Sequence, residues 1–227
     1  MSLTRVDLSN NSLEGSLPTE LGRLSQLRVL TLRANLTLTG EIPLEYTRLT
    51  KLEELDLAEN RFVGELGWAT PLVHLTSLDC ARNFFSGRLP LLPDTLLSLD
   101  LSCNGLEGPF TEAFCARHAL LETCFLRENR FSGTLPEQQG LLTKMRQLDL
   151  SHNQLGQGPG FGEAVGDFLR TNETVCRGAL DALRSSPLFV NFFDQSLAIG
   201  DAAGPRLEHA APGECGGALR GPGGQRY

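Results

Sequence analysis

The side chains that commonly carry catalysis or bind metals are few and scattered in this sequence of 227 residues. Its four histidines have no carboxylate or thiol at the spacing of metal ligands: His74, His118, His152 and His209. No phosphate-binding loop, zinc-peptidase motif, nucleophile elbow or C-x-x-C motif occurs. Residues 100–105 resemble the start of a calcium loop, but its twelfth position is Thr111 and not a bidentate glutamate. We therefore predict no catalytic residues, no metal site and no cofactor.

Charge and hydropathy exclude two further classes of protein. Twenty Lys and Arg residues stand against 27 Asp and Glu, a net charge of −7, and the basic residues are dispersed. Such a balance argues against a nucleic-acid groove. No stretch approaches the roughly 18 apolar residues that a membrane helix needs, and residues 1–20 lack the apolar core of a secretory signal. We expect no nucleic-acid partner and no membrane span in this chain.

The chain does contain an internal repeat that closes on asparagine. Its first copy is Leu3-x-x-Val6-x-Leu8-x-x-Asn11, and the same spacing returns six more times. A second half follows each asparagine, with an apolar residue, a glycine and often an apolar–proline pair, as in Leu38-Thr-Gly40-Glu-Ile42-Pro43. The closing residues are Asn11, Asn35, Asn60, Asn83, Asn104, Asn129 and Asn153.

The physics of this unit predicts a solenoid. The period-2 apolar residues predict a short strand with one buried face, which only stacked neighbours can complete as a parallel sheet. An inward asparagine can donate and accept hydrogen bonds at the bend after each strand, so the seven asparagines should stack in a ladder. The glycine permits a backbone conformation that other residues resist. The extra residue in Asn35-Leu-Thr-Leu38 should alter a loop and leave the strand unchanged.

The repeat resembles the leucine-rich repeat family, and its L-x-G-x-[IL]-P half resembles the plant-type subclass. This resemblance implies an α/β-type solenoid of about seven repeats, with a curved parallel sheet and an irregular convex side. Apolar residues at helical spacing, such as Cys176, Ala179 and Leu183, predict a short helical C-terminal segment. The resemblance also implies ligand binding without catalysis, as in plant receptor-kinase ectodomains and polygalacturonase inhibitors. We expect the solenoid over residues 1–156, a helical or irregular cap-like segment over 157–200 and a disordered tail over 201–227. Leu3, Val6 and Leu8 should form an uncovered edge.

The cysteines leave the cellular compartment open. Cys80 and Cys124 take core positions that other repeats give to leucine, Cys103 points outward, and Cys115 lies on the convex return. The cysteine pairs that flank secreted members of the family are missing, so we expect no structural disulfide, although Cys176 and Cys215 could pair. The family resemblance suggests an extracellular or membrane-associated protein. The cysteine pattern suggests a reducing compartment or an excerpt of a longer chain.

The outward-facing residues of the strands should form a concave binding face. One row along it is mostly acidic, and in two repeats an Arg-containing pair replaces the usual Asp and Ser: Thr31 with Arg33, and Phe125 with Arg127. An aromatic residue beside an arginine is a plausible anchor for a partner. The alternative is that the aspartates serve only the strand edge. The predicted partner-binding residues are Arg33, Asp56, Asp79, Asp100, Phe125, Arg127 and Asp149.

Three classes of function follow. The favoured one is a non-catalytic module that binds a protein or peptide across the concave sheet. The alternative is a structural or scaffold subunit whose N-terminal edge and C-terminal tail contact neighbouring subunits. The third is an enzyme whose chemistry lies elsewhere in a longer polypeptide, since this chain offers no catalytic constellation.

Overall fold

Two parallel sheets run side by side along the repeats of the computed structural model, which describes residues 3–133, 142 and 144–155. The described strands, in chain order, are β1 (Arg5–Asp7), β2 (Glu14–Gly15), β3 (Val29–Thr31), β4 (Thr37–Gly40), β5 (Glu54–Asp56), β6 (Arg61–Gly64), β7 (Ser77–Asp79), β8 (Phe84–Arg88), β9 (Ser98–Asp100), β10 (Gly105–Pro109), β11 (Thr123–Phe125), β12 (Arg130–Gly133), β13 (Gln147–Asp149) and β14 (Gln154–Leu155). The odd-numbered strands pair in order from β1 to β13, and the even-numbered strands pair likewise. The first sheet is the predicted one. The second was not predicted.

The second sheet arises directly after the ladder asparagines. Each of its strands is only two to five residues long and includes or adjoins the glycine of the repeat. These glycines have positive φ, for example +87° at Gly40 and +80° at Gly87. A side chain resists this backbone conformation, which explains the glycine in the repeat. So short a segment carries no alternating pattern that would reveal a strand in the sequence.

The core is enclosed by the first sheet, the second sheet and the convex side, all of which contribute buried apolar residues. The middle residue of each first-sheet strand from β3 to β11, including Cys124 in β11, is almost completely buried, and so is Cys80, which directly follows β7. Phenylalanines that follow the asparagines stack inside, with the rings of Phe62 and Phe85 at 6.4 Å. Burial of this leucine and phenylalanine surface is the main favourable contribution to folding.

The asparagine ladder is present, and Asn83 shows its geometry. Its Nδ2 donates to the Leu57 carbonyl of the preceding repeat at 2.9 Å. It also donates to two carbonyls of its own turn, those of Cys80 and Ala81, at 3.2 Å each. Its Oδ1 accepts from the backbone N–H of Phe62 at 3.0 Å. The ladder residues that are buried are Asn35, Asn60, Asn83, Asn104 and Asn129, whereas Asn11 is exposed and Asn153 is half-buried.

The extra residue of the second repeat changes only the turn, as predicted. Strand β3 keeps its full register with both neighbours. In most repeats the asparagine Oδ1 accepts from the apolar residue two positions after the preceding asparagine, but Asn60 Oδ1 accepts from the N–H of Asn35 itself, at 3.2 Å. The N–H of Leu38 then turns to the Asn35 carbonyl at 2.8 Å. The inserted residue therefore changes only which backbone N–H donates to Asn60 Oδ1.

The convex side is irregular, as expected, within the described residues. Three short 3-10 segments span Thr19–Arg23, Leu44–Arg48 and Leu66–Ala69. One α-helix, α1, spans Glu112–Arg117 and begins after Thr111, whose side chain accepts from the N–H of Phe114 at 3.2 Å. This helix stands where the repeat departs from its glycine–proline form. The helical segment predicted over 157–200 and the tail over 201–227 lie outside the described residues.

The structure corrects the cysteine prediction at one position. Cys103 is disulfide-bonded, whereas the other described cysteines are free and buried: Cys80, Cys115 and Cys124. Cys103 stands in the turn before a ladder asparagine and is half-buried there. The expected burial of Cys80 and Cys124 is confirmed. The predicted pairing of Cys176 with Cys215 lies outside the described residues.

At the N-terminal edge, large apolar side chains are exposed. Leu3 is 51% exposed and Leu8 is 38% exposed, as the sequence predicted, and Leu13 joins them at 37%. Val6 packs only partly against the core. The first turn of the described solenoid therefore presents apolar surface.

Candidate binding face

The predicted acidic row lies on the concave sheet in exact register. Asp56, Asp79, Asp100, Phe125 and Asp149 are successive Cα partners across β5, β7, β9, β11 and β13. Because neighbours in register share a face of the sheet, their side chains form one row. All five are half-buried.

The aspartates of this row also hold the turn that follows each strand. The Oδ1 of Asp79 accepts the backbone N–H of Ala81, two residues on, at 3.0 Å. The same contact recurs at 2.9 to 3.1 Å in the other repeats that carry this aspartate, at Asp7, Asp56, Asp100 and Asp149. One carboxylate oxygen of each aspartate therefore serves the end of its own strand, as the structural alternative expected. The second oxygen stays available for other contacts.

Arg33 links this row to the turn beyond it. One guanidinium nitrogen, Nη1, lies 3.2 Å from Asp79 Oδ2, and the other, Nη2, binds Glu59. Arg33 belongs to β3's repeat and therefore reaches past the neighbouring strand to Asp79 in β7. Its position is one of the two where an arginine replaces the usual small residue.

Two carboxyl groups of the row, those of Asp56 and Asp79, are destabilised in their charged form. Burial raises the pKa of Asp79 to about 6, and the nearby Asp100 and Asp56 add to this effect. The Ala81 N–H and Arg33 oppose it. The pKa of Asp56 is raised as well, mainly by burial. The centre of the row is therefore an acidic site with less solvent than an open surface provides.

A shallow pocket of about 190 Å³ opens on this face. The three repeats between Arg33 and Arg127 carry a small residue at the position of these arginines, namely Ala58, Ala81 and Ser102. Ala81 and Ser102 line the pocket. The lining residues are Arg33, Asp79, Ala81, Arg82, Asp100, Ser102, Cys103 and Arg127. The structure thus brings together four of the predicted residues. The other three, Asp56, Phe125 and Asp149, lie on the same sheet outside the lining.

Arg127 is held against the sheet by its neighbour. Its Nη2 lies 2.9 Å from Glu128 Oε1, and only 18% of its side chain is exposed. Its Nε is buried and has no hydrogen-bond partner among the described residues. An unpaired buried donor costs free energy, which a ligand acceptor reaching it would recover.

Sequence reasoning missed the residues that precede the asparagines. Glu59, Arg82 and Glu128 stand there with φ of +58°, +56° and +54°. Glu59 and Glu128 each pair with a predicted arginine, and Arg82 lines the pocket. The signal available in the sequence was the charged residue before the asparagine in these three repeats.

The described residues contain neither a metal site nor a membrane helix. No group of three or more His, Cys, Asp or Glu side chains within 3–133, 142 and 144–155 is arranged to hold a metal ion. In the same part of the chain, no helix has the length and apolar character needed to cross a membrane.

The stacked strands, the asparagine ladder and the repeated glycine turn define a leucine-rich repeat protein. The chain belongs to the leucine-rich repeat family, in its plant-type subclass. The family profile named Leucine Rich Repeat matches residues 2–24, and a second, Leucine Rich repeat, matches residues 94–109 and 142–157.

Relatives in Arabidopsis thaliana are similar to about two thirds of this chain. Receptor-like protein 53 is 34% identical over 153 residues, which are 66% of this chain and 13% of the relative. Receptor-like protein 54 is 32% identical over 135 residues, which are 58% of this chain and 17% of the relative. The chain therefore spans less than a fifth of the length of these relatives.

Solved ectodomains of Arabidopsis receptor kinases have a similar fold. The GASSHO1/SCHENGEN3 ectodomain in complex with Casparian strip integrity factor 2 aligns with a TM-score of 0.65 and 34% identity, over 73% of this chain and 20% of that one. The receptor kinase HAESA, in complex with the peptide hormone IDA and the co-receptor SERK1, aligns with a TM-score of 0.62 and 35% identity, over 68% of this chain and 26% of that one.

Proposed function

We propose that this chain is a non-catalytic module that binds a peptide or an extended protein segment across its concave sheet. The observation that carries the proposal is the pocket on that sheet, where Arg33, Asp79, Asp100 and Arg127 meet. Ligand pockets are concave and place a few polar groups where they can converge on one molecule. The solved HAESA structure, which contains the peptide hormone IDA, supports the choice of partner.

Phe125 and Arg127 form the proposed anchor. They lie two residues apart on and just after β11, so their side chains share the concave face. Aromatic and arginine side chains dominate the energy of many interfaces. The acidic row then steers a basic partner and makes association sensitive to salt. The scaffold alternative, with neighbouring subunits at Leu3 and Leu8, stays a prediction.

The test needs a probe, and a displayed dodecapeptide library supplies one. Peptides are selected on the immobilised full chain, and their affinities are measured by titration calorimetry. Replacing Phe125 by Asp and Arg127 by Ser restores the usual residues of the repeat and leaves the core unchanged. If each side chain contributes about 2 kcal/mol, each single replacement should weaken binding about thirtyfold, and the double variant should bind up to about a thousandfold more weakly than the wild type.

A matched control makes the same exchanges on the convex side. Leu44 is 75% exposed and Arg48 is also exposed, so Leu44→Asp with Arg48→Ser changes charge and hydrophobicity in the same way. This control should keep wild-type affinity. Selected peptides that bind the Phe125/Arg127 double variant as tightly as wild type would place the site elsewhere.

A further inference from the structure

Phe125 interrupts the acidic row at a point where both neighbours are aspartates. In the parallel register, Phe125 is the Cα partner of Asp100 on β9 and of Asp149 on β13. Neighbouring strands lie about 4.8 Å apart, so the two aspartate backbones are roughly 10 Å apart with the phenylalanine between them. The three side chains stand on one face, and all three are partly accessible.

Each of these two aspartates has one carboxylate oxygen with no partner among the described residues. The Oδ1 atoms accept the N–H groups of Ser102 and Ser151 at 2.9 Å. No described residue donates a hydrogen bond to either Oδ2, and no described Lys, Arg or His forms an ion pair with them. Further along the row, Arg33 covers Asp79. Arg82 lines the same pocket as Asp100, but no ion pair joins the two among the described residues.

Arg127 forms no ion pair with either aspartate. Arg127 follows Phe125 by two residues, but its guanidinium is held by Glu128 at 2.9 Å. That pair is neutral as a unit, so it does not cancel the two aspartate charges. The carboxylates on the two sides of Phe125 therefore have no ion-pair partner among the described residues.

An aromatic face between two carboxylates is suited to a planar cation. A guanidinium can stack on the ring while its in-plane N–H groups point to acceptors on either side, whereas a lysine ammonium is a point charge that cannot do both. We propose that Asp100, Phe125 and Asp149 form a clamp for one arginine side chain of the partner. This inference rests on the proposed function and specifies its ligand chemistry.

A small probe tests the clamp without the natural partner. The full chain, labelled with ¹³C in its phenylalanine rings, is titrated with N-acetyl-Gly-Arg-Gly-amide and followed by NMR. The Phe125 signals, assigned with the Phe125→Leu variant, should shift saturably. The matched probe that carries citrulline has the same shape without the charge, and it should leave these signals in place. The lysine probe should bind at least about threefold more weakly than the arginine probe.

Variants separate the clamp from general attraction to an acidic surface. Asp100→Asn and Asp149→Asn should each weaken the arginine probe at least threefold, and Phe125→Tyr should retain it. Asp7→Asn is the control, because Asp7 has the same place in its repeat but pairs in register with Thr31 and not with an aromatic residue. It should leave binding unchanged. Equal shifts with citrulline, or equal affinity in Asp100→Asn, Asp149→Asn and wild type, would overturn the clamp.

The clamp and the proposed function fail in different ways. If library peptides bind through the Phe125/Arg127 anchor but contain no enriched arginine, and the small probe leaves the ring signals in place, only the clamp is wrong. If the arginine probe binds at Phe125 but no selected peptide depends on the concave face, the proposed function is wrong and the clamp remains.

Discussion

Replacing Asn83 by Leu tests the ladder, and the structure limits how much stability should be lost. Asn83 makes four hydrogen bonds, yet most of its partners have a second donor. After the replacement, the Leu57 carbonyl still accepts from Asn60 Nδ2 at 2.8 Å, and the Cys80 carbonyl still accepts from Asn104 Nδ2 at 3.0 Å. The Ala81 carbonyl still accepts from the Glu59 N–H at 2.9 Å. Only the Phe62 N–H loses its single described partner. One buried donor left unpaired costs about 1–3 kcal/mol, so we expect a loss of that size.

Urea unfolding followed by circular dichroism measures this loss as a lower midpoint at an unchanged slope. The matched control is Asn11→Leu. Asn11 is exposed and donates only to the carbonyls of Leu8 and Ser9, so its replacement should cost less than about 1 kcal/mol. Equal losses in the two variants would refute the reasoning that burial of the ladder determines its contribution. A loss above about 5 kcal/mol for Asn83→Leu would show that the shared carbonyls are not compensated.

Two further predictions concern Asp79 and the repeated glycine. Burial raises the pKa of Asp79 from 3.8 to about 6, so between these pH values the folded state binds a proton that the unfolded state has lost. The charged carboxylate therefore destabilises the folded state, fully above pH 6 and no longer towards pH 4. The Asp79→Asn variant keeps the oxygen that accepts in the turn and removes this penalty, which is at most about 3 kcal/mol. The variant should unfold at higher urea concentration than the wild type at pH 8 and at the same concentration near pH 4. Lower stability of the variant at pH 8 would contradict the argument. Gly87→Ala should cost about 1–2 kcal/mol because φ is +80°, plus the contact of its Cβ with Glu65 Cγ at 2.9 Å. Gly15→Ala is the control that has similar φ but nothing within 4 Å, and urea midpoints of the two variants should differ by the contact alone.

The repeat pattern was sufficient to predict the concave sheet and the ladder. Leucines at fixed offsets determine which residues are buried, and one polar residue at a constant position must serve the turn, as Asn83 does. The two exceptional pairs, Thr31 with Arg33 and Phe125 with Arg127, were visible because every other repeat is uniform at these positions. Arg33 and Arg127 indeed line one pocket.

Other features depend on backbone geometry that no residue type announces. The second sheet consists of very short segments, and α1 (Glu112–Arg117) forms where the repeat loses its usual turn residues. Glu59 and Glu128 reach the arginines because a left-handed turn directs them there. The Oδ1 contacts of the aspartates likewise depend on distances between residues that the pattern alone does not give.

The central claim is that the concave sheet binds the partner, and a crystal structure of the full chain with a library-selected peptide tests it most directly. We expect the peptide to cross the strands of the first sheet, to contact Phe125 and Arg127, and to reach the pocket beside Asp79 and Asp100. A peptide bound to the convex side, for example at Leu44–Arg48, or to the edge at Leu3 and Leu8, with the concave pocket free, would contradict it.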